Sequence, residues 1–327
     1  MNHAHAYTVL KLAAVATLGL TAIAPAAAQH YPTKAVRIIA PFPPGGSSDL
    51  VARILAQKLT EANGQQFVVD NRPGAGGTLG TDLAAKSAPD GYTLAVGNIA
   101  PLAVNVSLFK KLPYNPVHDF APIAMSAVGT TVLVVHPSLP VRSVKELVAL
   151  AKARPGQLNY GSGGSGTPAH LSGELFRHLA KVNIVHIPYK GTGLSLNELI
   201  SGQIQLVFAS MPVGLPHVKT GRLRALAVTS EKRSALAPEL PTVAETVPGF
   251  QFDSWWGLTA PARTPNDIIM KLNGQLLQIV KQQDVKERFA GLGLEPVGTS
   301  PQQYAAFIKS EIDKVARIAK AIGLEPQ

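Results

Sequence analysis

Three groups of residues in this 327-residue chain have the types and spacing to do chemistry. Gly161, Gly163 and Gly166 stand at the G-x-G-x-x-G spacing by which a strand-to-helix turn cradles a pyrophosphate. The acidic residue that would bind a ribose about 20 positions on is missing, because nothing acidic lies between Glu174 and Glu198. No glycine loop ends in Gly-Lys-Ser/Thr, so a triphosphate-binding loop is set aside as well. Ser162 or Ser165 with His170 or His186 would supply a nucleophile and a base. Neither serine has glycines two before and two after it, as a nucleophile elbow requires, and hydroxyls that cap a turn or donate to an anion fit better. His170, Glu174 and His178 share one helical face at i, i+4, i+8. Zinc would need a further ligand from another segment, so this face reads as solvated or ligand-lining.

A fourth group uses no titratable side chain. Ala40-Pro41-Phe42-Pro43-Pro44-Gly45-Gly46-Ser47-Ser48-Asp49 joins an apolar run, Val36 to Ala40, to an amphipathic run from Leu50 to Leu59. The prolines fix φ and stiffen the loop, and Gly45 and Gly46 let a ligand reach the main chain. Ser47 or Ser48 can cap the helix, whose first N–H groups lack intrahelical partners and carry the positive end of its dipole. The result is either a tight βα turn or an anion site.

The elements that must position these groups repeat. A strand at 66–70 leads into a second glycine loop, Asn71 to Gly77, then a helix from Thr78 to about Ser87. Pro89-Asp90-Gly91 turns into a strand at 92–96 that ends at Gly97-Asn98. Alternation of this kind predicts helices on the faces of a mainly parallel sheet, with ligands outside the carboxyl ends of its strands. A second lobe opens at Thr131–Val135. Ser143 and Glu146 form a capping box. A strand at 157–160 leads into the loop Gly161–Thr167, and Thr167 caps a helix with Pro168 at its first position. Strands follow at 184–187, 204–208 and 224–228. Lys190 either guides an anion or sits on the surface, and Trp255-Trp256 is either packing or an aromatic platform. The chain returns through 253–258 to complete the first lobe. The expected fold is therefore two α/β lobes around a cleft, with residues 29–127 and 253–327 in one and 128–252 in the other.

Composition narrows the partners. Lys11 precedes an apolar run ending at Pro25, and Ala26-Ala27-Ala28 supplies an A-x-A cleavage site, so residues 1–28 read as a secretory signal peptide. Lys11 is the sole charged residue there, and its loss takes the formal charge from +10 to +9. An exported basic protein is not expected to meet nucleic acid. The absence of cysteine excludes disulfides, thiol nucleophiles and a lipid anchor on cysteine.

Tyr31-Pro32-Thr33-Lys34, the loop Pro41–Asp49, Asn71–Gly77 and Ala88-Pro89-Asp90-Gly91-Tyr92-Thr93-Leu94 resemble the Bug/TctC family. So do Leu112-Pro113-Tyr114, Val185–Gly191, Leu223–Thr229 and Ala260–Pro265. That family comprises extracytoplasmic solute receptors of tripartite tricarboxylate transporters. The resemblance implies a periplasmic binding protein, not an enzyme and without cofactor or metal. It would hold a small mono- or dicarboxylate, aromatic ones included, and deliver it as a monomer to membrane transporter subunits. It also implies first-lobe ligand contacts at Phe42, Pro44, Gly45, Gly46, Ser47, Gly76, Gly77 and Asn98. Second-lobe contacts would be Ser162, Gly163, Gly166, Thr167, His170, Phe208 and Ala209. An acidic residue that often follows the position of Phe208 in receptors of amino acids is Ala209 here, which disfavours an ammonium-bearing ligand. A receptor that signals rather than transports, and a serine hydrolase, are the alternatives.

Overall fold

A computed structural model describes residues 31–327, apart from 165, 190, 191, 322, 325 and 327. The proposed signal peptide, Ser165 and Lys190 lie outside the described residues. In the first lobe the strands are β1 (Val36–Ala40), β2 (Phe67–Asn71), β3 (Thr93–Asn98), β4 (Phe120–Gly129), β10 (Ser254–Pro261) and β11 (Leu294–Pro296). They form one sheet in the order β11-β4-β10-β3-β1-β2. The second lobe has β5 (Thr131–Val135), β6 (Leu158–Ser162), β7 (Ile184–Pro188), β8 (Leu206–Ser210) and β9 (Arg224–Val228), in the order β7-β6-β8-β5-β9.

The helices named below are α1 (Ser47–Asn63), α2 (Thr78–Ala85), α3 (Asn105–Leu108), α4 (Val144–Ala153), α5 (Pro168–Ala180) and α6 (Thr192–Ile200). Helix α1 forms because Val51, Ile54, Leu55 and Leu59 recur on one face, which is buried, while Gly64 at φ 67° ends it in the left-handed conformation that glycine tolerates. Ser143 Oγ accepts from the Glu146 N–H at the start of α4, as the capping-box pattern predicts.

The sheets are mixed rather than mainly parallel, which corrects the expectation from βα alternation. β1 pairs in parallel with β2 and β3, but β10 runs antiparallel to β3 and β4, and β11 antiparallel to β4. In the second sheet β6 is parallel to β7 and β8, whereas β5 is antiparallel to β8 and β9. Of the reversed strands, β5 and β10 are those by which the chain enters a lobe from its neighbour, so they lack the crossover helix that enforces parallel pairing, and β11 keeps the direction of β10, from which helices lead to it.

The two crossings, at 129–131 and 229–254, are tied together. The Thr229 N–H donates to the Thr131 carbonyl (2.9 Å), and its Oγ1 accepts from the Thr131 N–H (3.0 Å). Thr130 Oγ1 donates to Asp253 Oδ1 at 2.8 Å. Burial raises the Asp253 carboxyl above its ordinary range, against the lowering effect of the Thr130 hydrogen bond. Large apolar side chains fill each lobe, with Trp255, Phe176, Phe208 and Phe250 among those fully buried.

Candidate functional site

Strand β1 delivers the chain to the loop at 41–46, and the loop's shape follows from a single carboxylate. Asp49 Oδ2 accepts from the Gly45 N–H (2.9 Å) and from Arg53 Nε (3.0 Å), and its Oδ1 accepts from Asn71 Nδ2 (2.9 Å). Asn71 Nδ2 also donates to the Phe42 carbonyl at 3.0 Å, which ties the first glycine loop to the second. Burial alone would raise the Asp49 pKa, but the hydrogen bonds from Arg53, Gly45 and Asn71 outweigh it and hold the group below its ordinary value. With Asp49 spent on the loop and no side chain capping α1, the N–H groups of the first turn have no intrahelical acceptor.

These groups face a cavity of about 690 Å³ between the lobes. Phe42, Pro44, Gly46 and Ser47 line it from the first loop, Gly76 from the second, and Asn98 from the end of β3. Gly166 and Thr167 line it from the second lobe, with Thr192 at the start of α6. Ile99, Leu108, Phe109 and Trp256 supply apolar wall. Among the described residues on its walls, none is charged.

The remaining expected contacts sit elsewhere. Gly45, at φ 82°, spends its N–H on Asp49. Gly77 is buried behind the wall, where an added Cβ would lie 3.0 Å from the Phe42 ring. Gly163 is not on the cavity wall. Ser162 is fully buried, with Oγ 2.7 Å from His186 Nε2 and accepting from the Gly164 N–H (3.1 Å). His170 lies beneath the loop, where Nδ1 accepts from the Gly166 N–H at 3.1 Å. It therefore shapes the wall instead of forming it. Phe208 and Ala209 are core residues. The strand expected to end at Phe208 continues to Ser210, which puts Phe208 opposite Leu133 and stacks its ring on Phe250.

The His170 and His186 rings lie 4.2 Å apart, and His186 stacks on Tyr160 at 4.9 Å. Burial lowers both imidazole pKa values. His186 is pushed down to about 4, with the neighbouring His170 adding to the effect of burial. Glu174 accepts from the Tyr160 hydroxyl (2.6 Å) and from Arg177 (2.8 Å), so its oxygens are committed within the lobe. Among the described residues no group of three or more His, Cys, Asp or Glu side chains is arranged to hold a metal ion.

Sequence reasoning missed Ser48, Asn105, Leu108, Phe109, Thr192 and Ser254 as wall residues, and it left Trp256 open. Trp256 pairs with Asn98 across β10 and β3, and its Nε1 donates to Ser48 Oγ at 3.0 Å. A Trp on a returning strand near the cleft was the available sign. Nothing local marked Leu108 or Phe109.

Two mixed α/β lobes with a cavity between them whose described walls carry no charge, opened onto by helix N-termini, define a two-lobed solute-binding protein. The family described as tripartite tricarboxylate transporter family receptor, TctC, matches residues 51–324, and the chain belongs to it. Protein BugT of Bordetella pertussis is 41% identical over 311 residues, covering 94% of this chain and 95% of BugT. A solved structure of an R. palustris protein with adipate is 36% identical with a TM-score of 0.82, over 91% of this chain and 100% of that one. MatC from Rhodopseudomonas palustris with bound malate is 32% identical with a TM-score of 0.76, over 88% of this chain and 99% of MatC.

Proposed function

We propose that this solute receptor captures a small carboxylate in the interlobe cavity and hands it to a tripartite tricarboxylate-type membrane transporter. It works as a periplasmic monomer without chemistry of its own. The observation that carries this reading is the uncapped N-terminus of α1, rigidly presented by Asp49 to a cavity with walls from both lobes. The adipate and malate held by relatives are carboxylates of a size that suits such a cavity. A hydrogen bond to a charged acceptor contributes about 1.5–3 kcal/mol net. Four or five of them, less the cost of ordering and closing, accord with a micromolar Kd, near −8 kcal/mol. Held by neutral donors among the described wall residues, the ligand can leave again.

The hydrolase alternative names Ser162 or Ser165 with His170 or His186; Ser165 lies outside the described residues, and Ser162 is the serine that meets His186. Ser162 is fully buried and off the cavity wall, and its oxygen already accepts from Gly164, so substrate has no route to it. The test of the transport reading is thermal shift of ligand-stripped protein against mono-, di- and tricarboxylates, where binding to the native state raises Tm. No response to any of them would overturn it.

A further inference from the structure

Ser48 is absent from every contact expected above, yet its hydrogen-bonding leaves it one role. Its side chain is 5% exposed, and its oxygen lies 2.8 Å from Asn98 Nδ2 and 3.0 Å from Trp256 Nε1. An indole nitrogen can only donate. The Asn98 amide is oriented by its other end, since Oδ1 accepts from the Ala100 N–H at 2.9 Å, so the atom facing Ser48 is the NH2 group. Both lone pairs of the Ser48 oxygen are therefore engaged, and only its proton remains to be placed. No acceptor among the described residues takes that proton, and Ser48 lines the cavity.

Resting on the carboxylate reading above, we infer that Ser48 is the specificity-determining donor of the first lobe. Asn98 and Trp256 are positioning residues that turn its hydroxyl proton toward the ligand. Two donors feeding one oxygen also polarise the hydroxyl and make it a stronger donor. Beside it stand the first-turn N–H groups of α1, which have no side-chain cap, so donors gather at this end of the cavity. An ionised carboxylate only accepts and satisfies them all. A carboxamide brings an NH2 group that meets donors with donors, and a protonated acid does the same with its O–H. The ligand class is thus an anion whose terminal oxygens carry no hydrogen, and discrimination against the isosteric amide arises from that mismatch.

The test is calorimetric titration of ligand-stripped protein with benzoate, adipate and malate, each against its amide (benzamide, adipamide, malamide). The wild type should prefer at least one acid over its amide. Ser48→Ala should weaken that acid by about tenfold to a hundredfold while changing the amide little, so the preference shrinks. Trp256→Phe should give part of the same loss, and Ser48→Ala with Trp256→Phe should be no weaker than Ser48→Ala alone. Ser48→Ala leaves two buried donors unpaired, so titrations are normalised to the folded fraction from melting curves. Ser48→Thr, which keeps the hydroxyl, should restore the preference. Equal losses for acid and amide in Ser48→Ala, unchanged acid affinity, or additive losses in the double variant would overturn the inference and leave carboxylate binding standing. If the wild type binds none of the acids, the carboxylate reading falls, and this inference with it.

Discussion

Gly166→Ala separates what the backbone requires from what the two lobes require of each other. Gly166 has φ 78°, a left-handed conformation that costs an alanine about 1–2 kcal/mol. That cost falls on the folded protein whether or not ligand is present. For a chain of this length it should lower Tm by several degrees, at roughly 2–4 °C per kcal/mol. The new methyl also meets the other lobe, because a Cβ built on Gly166 stands 2.3 Å from Leu108 Cδ1, where about 3.5–4.0 Å is comfortable. This clash joins residues of different lobes on the cavity wall, so it is felt where ligand is held between them. The atom met is the terminal methyl of a half-buried side chain that can turn aside, so the cost lies at the low end of overpacking, about 1 kcal/mol, or roughly fivefold in Kd. Leu108→Ala on its own removes cavity wall and should weaken binding modestly. The double variant should bind better than the sum of the two losses allows, while keeping the full drop in Tm. Melting curves read the first effect, and titration with a carboxylate that binds the wild type reads the second. Unchanged affinity in Gly166→Ala, or strictly additive losses in the double variant, would refute the placement of Gly166 against Leu108 across the cavity.

Three further outcomes follow from the same geometry. Gly46 has φ −79° with room for a Cβ 3.5 Å from the Pro43 carbonyl, so Gly46→Val should fold. Exchanging glycine for valine at the N-cap costs about 1 kcal/mol, but the isopropyl group enters the cavity, and carboxylate affinity by titration should fall at least about tenfold. For His186, burial depresses the folded-state pKa from the ordinary 6.5 to about 4, so the unfolded chain binds more protons between those values. Stability is therefore fully present above about pH 6.5 and declines as pH falls toward 4; in His186→Asn the slope of Tm with pH should flatten. Ser162→Ala removes the hydroxyl between His186 and Gly164. It should lower stability by about 1 kcal/mol in denaturant titration and leave any ester turnover of the preparation unchanged, whereas loss of turnover would revive the hydrolase reading.

What could be read from the sequence was what is local. The strand Val36–Ala40 and the proline-glycine loop are encoded by neighbours along the chain, and that loop faces the cavity, although α1 is capped by Gly46 and not by the Ser47 or Ser48 side chain the sequence offered. Thr167 as the cap of α5, accepting from the His170 N–H, was legible for the same reason. The end of β8 was not, because Ala209 and Ser210 are drawn into the ladder by Val132 and Thr131, some 80 residues earlier in the chain. That long-range pairing turned two expected ligand contacts into core. Ser48, Asn98 and Trp256 meet only because β10 returns antiparallel beside β3, a pairing that no local period records. Leu108 and Phe109 reach the cavity from a short helix with no pattern of its own.

The threonine cluster at the two crossings has a mechanical meaning. Straps pinned to one another at Thr131 and Thr229 resist sliding and independent fraying, so what remains soft is rotation about the line on which they are joined. Were a lobe to turn on such a pin, a small twist at the threonines would become a large displacement at the lips of the cavity. The machinery that moves is thereby set apart from the machinery that selects. Ser48, Gly166 and Leu108 line the cavity and take no part in the threonine bonds, so substitutions there would alter the wall and leave the crossings pinned as before.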